Sequence, residues 1–452
     1  MPSTSLSPNI RLIARVNKSL SLGTLPSFSA SFLSKNNNDE SNYWCSRMLF
    51  SSASKADPKQ RPIFVAATKQ HVGKTTSSLA VLSGLKKRFD TVGFIKPVGQ
   101  QHVKVETNDE TKTSIRVDKD VVLIKEHFDL DHIDYKHMSP VIIPSGYTRK
   151  FVDGEISTID QQREVENAFE YISSNSAVTL IEGTGHCAVG SIVGLNNAKV
   201  ASILGADMIL VANGGLGKAF DQLELNRVLC EQNNVRIAGV IINKVIPEKY
   251  EQTKHYLAKA MMQTWEIPLL GCIPDRPYLG CPALIDLERL FKTKLIIGDS
   301  DENRFRHYTM SDINLVTTSL KRFLENIKSR KPSRTLYICH VTRDDLILGF
   351  LDEYQRRQQD PSGSPFEAAL LVCGRQDTYI LSAEVEARIR EMDGDGPSIM
   401  LVEGTTHAAM TKIHRFTPKL NIDDRSRVGV AIDHYEPYID FDLLLERTRE
   451  RE

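Results

Sequence analysis

Six short apolar runs, residues 63–67, 92–95, 178–181, 208–212, 237–242 and 269–273, alternate with helical stretches through the middle of the chain. Strands that alternate with helices build a parallel sheet with helices on both faces. The runs are continuously apolar rather than alternating, which suits strands covered on both sides. The expected fold class is therefore α/β: a parallel-sheet domain flanked by helices, followed by a second, smaller α/β domain. Open sheets of this kind gather their ligands at the carboxyl ends of the strands, so the residues that follow each run carry the functional reading.

After the first run comes Thr68-Lys69-Gln70-His71-Val72-Gly73-Lys74-Thr75-Thr76, and then a helical stretch carrying Leu79, Ala80, Leu82 and Leu85. A strand, a glycine turn and a helix in this order form a phosphate-binding loop, with backbone amides and the positive helix end turned toward an anion. Val72, Gly73, Lys74, Thr75 and Thr76 are the candidate nucleotide-binding residues. Thr68 departs from the usual pattern, which has glycine there. The later runs end in Lys96-Pro97-Val98-Gly99, Glu182-Gly183-Thr184-Gly185-His186, Asn213-Gly214-Gly215-Leu216-Gly217 and Asn243-Lys244. A cation, an acid, a glycine loop and an amide thus fall at one edge of the expected sheet.

These motifs, with Asp120 followed by Val121-Val122-Leu123, resemble the dethiobiotin synthetase family over residues 61–275. They are also similar to the nucleotide-binding half of cobyrinate diamide synthases and to the N-terminal domain of long phosphate acetyltransferases. The resemblance implies ATP on the loop, Mg²⁺ held by Thr75, Asp120 and Glu182, and adenine recognised partly through Asn243. Asp118 stands as an alternative to Asp120. It also implies two catalytic lysines: Lys74, which offsets charge on the transferred phosphoryl group, and Lys96, which holds an anionic substrate group such as a carbamate or carboxylate. Gln70 and Gln100 replace the small hydroxyl residues that dethiobiotin synthetases place beside their substrate, so a diaminopelargonate substrate is not expected. A homodimer follows from the resemblance alone. Lys69 matches a lysine of deviant Walker A ATPases, but Gln70 and His71 replace two glycines of that motif. Residues 101–120, rich in charge and hydroxyls, read as a mobile loop over the site.

Residues 276–452 form the expected second domain, with strands at 294–297, 335–339, 368–372 and 398–402. Leu284-Ile285-Asp286, Ile297-Gly298-Asp299 and Val341-Thr342-Arg343-Asp344-Asp345 resemble the DRTGG domain of long phosphate acetyltransferases, without its name-giving glycines. Neither an acetyltransferase catalytic domain nor a G-x-C-x-G glutaminase elbow is read in the sequence. An internal echo links Glu182-Gly183-Thr184-Gly185-His186 to Glu403-Gly404-Thr405-Thr406-His407, either as a second anion site or as two similar strand ends.

The expected domains are 1–56, a disordered targeting presequence; 57–275, the nucleotide-binding domain; and 276–452, the DRTGG-like domain. Residues 1–54 hold 14 serines and no acid before Asp39, and Ile10, Ile13, Val16 and Leu20 oppose Arg11, Arg15 and Lys18 on a helical wheel. This composition reads as a mitochondrial matrix address, with a plastid or cytoplasmic location as the alternative. The 57 basic and 57 acidic residues cancel, which argues against a global field drawing nucleic acid. No apolar run reaches the ~18–20 residues of a membrane span. Seven cysteines without a C-x-x-C pair read as buried apolar residues rather than a disulfide or zinc framework. Two functions are compatible with these features: an enzyme that hydrolyses ATP or activates a small carboxylate or carbamate, or a nucleotide-sensing regulatory protein without turnover.

Overall fold

The structure, a computed structural model, describes residues 61–106, 113–329, 334–360, 365–375, 380–392 and 394–450. The expected presequence, 1–56, lies outside the described residues. The first sheet has six parallel strands in the order Leu269–Pro274, Ile237–Val245, Asp207–Asn213, Ile63–Ala67, Val178–His186, Val92–Ile95. Ile63–Ala67 is buried throughout and lies where the strand order reverses, so the connections on its two sides leave in opposite directions and open a crevice beyond its carboxyl end.

The helix Lys74–Lys86 begins at that crevice, and Ser77 through Leu85 are all buried. A helix buried on every side needs cover on both faces. The sheet supplies one cover; the other comes from the far end of the chain. Helices Arg425–Tyr435 and Phe441–Arg447 bring Val428, Ile432, Tyr435, Phe441 and Leu444 into the same core. A Cβ on Gly84 would stand 2.0 Å from the Phe441 ring, so glycine is what allows the two elements to approach. Asp440 N donates to Leu270 O at 2.7 Å, Gly271 bridges Ile439, and Arg61 N donates to Thr448 O at 2.9 Å. The expected second domain, 276–452, therefore does not stay apart to its end: its last helices complete the core of the first. The physical reason is the exposed apolar flank that the loop helix would otherwise present to water.

Between these parts lies a second sheet in the order Leu295–Ile297, Ser398–Glu403, Ala369–Gly374, Leu336–His340, Ile313–Leu315. Its pairs are parallel except Leu295–Ile297, which runs antiparallel to Ser398–Glu403. Separate apolar clusters cover its two faces. Arg427, 1% exposed, ties this region to the returning helix by pairing with Asp286 at 3.1 Å and donating to the carbonyls of Leu279 and Cys281. His307 meets Asp424 at 2.9 Å one turn earlier.

The described parts of the stretch 101–120, residues 101–106 and 113–120, are more ordered than expected. His102–Glu106 and Ser114–Asp118 form an antiparallel hairpin, because Val103, Val105, Ile115 and Val117 alternate with polar residues as a strand requires. The described cysteines are all free and buried, and burial pushes Cys373 up to about 12, as a small apolar reading implies. Among the described residues, no helix is long and apolar enough to cross a membrane.

Candidate nucleotide site

The phosphate loop is held from beneath. Gly73 has φ 92°, and a Cβ there would stand 2.3 Å from Nδ2 of Asn243. That amide donates to Val72 O at 2.7 Å, and Lys244 Nζ donates to His71 O at 3.0 Å. His71 itself adopts φ 61°. Thr68 is absent from the left-handed region, so the missing glycine costs the loop nothing there; its amide donates to Val211 O at 2.9 Å. Tyr435, from the returning helix, is 4% exposed, and its hydroxyl lies beside Asn243 and Thr76. Burial pushes the Tyr435 phenol up to about 12, so it keeps its proton.

Five charged groups converge at the start of the loop helix. Lys74 pairs with Glu182, and Lys96 pairs with Asp120, with Asp118 at 2.9 Å and with Glu182 at 3.5 Å. The Thr75 hydroxyl lies 3.1 Å from Glu182 and 3.4 Å from Asp120. Burial opposes the charge of Lys96, yet Asp120, Glu182 and Asp118 outweigh it and raise its pKa. For Lys74 burial wins over Glu182, and its pKa is lowered. Burial also works against the charge of Asp120, but Lys96 and then Lys74 hold that carboxyl well below its ordinary range.

The candidate residues Lys74, Thr75, Lys96, Asp120 and Glu182 thus share one cluster, and Asp118 joins it. Asp118 also accepts from the amides of Gln100, Gln101 and Asp120, and so caps the helix Lys119–Phe128. Asn243 differs from expectation. It is fully buried with its amide committed to the loop, so it props the loop from beneath rather than presenting a free amide to the cavity. The echo at Glu403 also parts from Glu182: Glu403 is exposed without an ion pair among the described residues, and Thr405 caps the next helix by accepting from Ala408 N. Tyr435 was not foreseen. Its separation of more than 350 residues from the loop leaves no local signal.

Above the loop lies a cavity of about 800 Å³, lined by residues 69–76 and by Lys96, Gln100, Asp118, Asp120, Thr184 and Lys419 among others. Its volume falls within the ~300–1,000 Å³ of small-molecule sites. The donors also fit a divalent ion. Oε2 of Glu182 is buried without a hydrogen-bond partner, beside a threonine hydroxyl and a second carboxylate. Among the described residues no three His, Cys, Asp or Glu side chains form a metal cage of their own. Mg²⁺ bound with a nucleotide does not need one, because phosphates and water fill most of its shell.

Residues 61–283 match the family model described as an AAA domain. Phosphate acetyltransferase of Nitrosomonas europaea is 25% identical over 401 residues, 86% of this chain and 52% of that protein. The chain spans about half the length of the phosphate acetyltransferases it matches. An ATP-dependent dethiobiotin synthetase of Xanthomonas axonopodis pv. citri is 24% identical over 48% of this chain and 93% of its own length. Among solved structures, MinD cell division protein of Aquifex aeolicus is 17% identical over 48% of this chain and 84% of its own, with a TM-score of 0.30. The first unit is thus a parallel-sheet α/β domain of the P-loop NTPase type, related in sequence to both enzyme groups, and a second α/β region follows it.

Proposed function

We propose that the chain binds MgATP at this loop and transfers the γ-phosphoryl group to a small carboxylate or carbamate, with the DRTGG-like region as a regulatory half. The observation that carries this reading is the meeting of Lys74, Thr75, Asp120 and Glu182 beneath one cavity, with Gly73 turned to expose the loop amides. Thr75, Asp120 and Glu182 would hold Mg²⁺, which supplies neutralisation of phosphate charge. Lys74 would leave Glu182 for the phosphates, whose charge would offset the burial that lowers its pKa. In the transfer, a carboxylate oxygen bonds to the γ-phosphorus as the bridging P–O bond breaks. ADP leaves with that electron pair, and no net proton is taken up or released.

A second reading, a sensor that binds ATP without turnover, is favoured by the state of Lys96. Its charge is matched by three carboxylates rather than offered to a substrate. Phosphate release from MgATP, with and without small acids and beside Lys74→Ala, separates the two. Turnover lost in Lys74→Ala supports the enzyme, and binding without turnover supports the sensor. Turnover unchanged in Lys74→Ala removes both. A mitochondrial address and a homodimer complete the proposal; imaging of a full-length fusion and light scattering test them.

A further inference from the structure

A second cavity, of about 640 Å³, lies between the phosphate loop and the helix Thr406–Arg415. Its lining includes His71, His407, Lys412 and Arg415, and no acidic residue. All four side chains are exposed, and none has a hydrogen bond or ion pair among the described residues. Lys412 Nζ lies 4.9 Å from the centroid of the Phe291 ring, a contact that uses none of its N–H donors. Leu290 and Phe416 supply an apolar wall. Of the echo motif at 403–407, only His407 reaches this cavity.

The two cavities share His71 and Thr417. His71 stands in the left-handed region at φ 61°, where glycine would be free of strain. A strained residue kept at a functional loop points to a use for its side chain. The His71 carbonyl is already taken by Lys244, which leaves the imidazole as the group on offer.

From this placement we propose that the second cavity binds a small organic phosphate, and that the bound phosphate weakens MgATP at the loop through His71. A phosphate monoester carries roughly 1.5–2 negative charges at pH 7 and three acceptor oxygens. The Arg415 fork and the Lys412 ammonium match that group better than a singly charged carboxylate. Its organic body meets the apolar wall. Negative charge against His71 opposes a second anion two residues along the loop, where Gly73 and Lys74 begin their grip. The site lies outside the proposed phosphoryl-transfer machinery and stands whether or not ATP is turned over; its coupling rests on MgATP binding at the loop.

The test uses the full chain, titration calorimetry, and phenyl phosphate, inorganic phosphate and benzoate as probes. Phenyl phosphate is expected to bind once per chain in the presence of MgATP, more tightly than the other two. Saturating phenyl phosphate is expected to raise the Kd of MgATP by about fivefold or more and then level off, as coupling between two sites requires. Lys412→Ala and Arg415→Ala are each expected to weaken phenyl phosphate by about tenfold or more. MgATP affinity without the probe stays within about twofold in both variants. His71→Gly, which suits the backbone, is expected to remove most of the coupling. Phenyl phosphate that binds no tighter than benzoate, or equally well to both alanine variants, overturns the site. Displacement of MgATP without a plateau puts the probe in the phosphate loop and overturns it too. Probe binding that leaves MgATP affinity unmoved overturns the coupling. Absence of MgATP binding to the unaltered chain removes the nucleotide reading and the coupling, while phenyl phosphate titrations of the alanine variants still decide the site.

Discussion

The side-chain amide of Asn243 donates to the carbonyl of Val72 across 2.7 Å, and so the end of a neighbouring strand fixes the phosphate loop from below. Asn243→Ala leaves that carbonyl buried without its donor, a loss of about 1–3 kcal/mol. MgATP affinity is expected to fall roughly tenfold or more, since ~1.4 kcal/mol is a factor of ten. Titration calorimetry reads the affinity and a melting curve reads the fold. Unchanged affinity in a destabilised variant would show that Asn243 supports the sheet and not the loop.

Gly73→Ala is the harsher change. A methyl group would meet Asn243 at 2.3 Å, and φ 92° disfavours any side chain. Left-handed backbone alone costs about 1–2 kcal/mol for an L-residue. Nucleotide binding should be lost while circular dichroism stays near that of the unaltered chain. Ordinary binding in this variant would contradict the loop geometry.

The charges around Lys96 give a pH test. The pKa of Lys96 is raised, because its carboxylates outweigh its burial, so its stabilising contribution is full below ~10.4 and fades as pH climbs through the raised value. Asp120 is depressed, so its contribution is present above ~3.9 and fades as pH falls through the depressed value. Between those limits the contributions of Lys96 and Asp120 stay level. Lys96→Met leaves Asp118, Asp120 and Glu182 facing one another, at a cost of about 3–5 kcal/mol at neutral pH. Protonation relieves that repulsion, so the deficit in melting temperature should be smaller at pH 5 than at pH 8. An equal deficit at both would sink the electrostatic account.

Arg427→Ala strands Asp286 and two backbone carbonyls in a buried position. Loss of one partner of a buried pair costs about 3–5 kcal/mol, and denaturant melts should register it. Tyr435→Phe is milder: it removes a hydroxyl beside Asn243 and Thr76, at a cost of up to about 1.5 kcal/mol. Its effect should fall on MgATP affinity more than on the melt. A variant that melts early but binds normally would place Tyr435 in the core alone.

Much of this architecture was legible because strand runs and the loop are local patterns. Ile63–Ala67 and Val92–Ile95 begin and end where apolar runs do, and Lys96, Glu182 and Asn243 follow at strand ends that topology gathers. Ile313–Leu315, three residues long, carries too few positions for a period to show. The strand pair 102–106 and 114–118 hid behind its charges, although its alternation was present. The returning helices were illegible for a different reason. Their apolar faces show that they must be covered, but not that the cover is a helix centred near Leu79, hundreds of residues upstream. The neutralised state of Lys96 was equally hidden, because charge balance depends on which carboxylates the sheet order brings within reach.

A ribosome delivers Gly84 and Leu270 long before it delivers Phe441 and Asp440. Until that late stretch emerges, the flank of the loop helix lies bare, and Asn243 and Thr76 lack the tyrosine that covers them. Maturation of the phosphate-gripping region is therefore tied to completion of translation through Thr448, so a chain released early would carry the whole P-loop motif and still lack its finished seat.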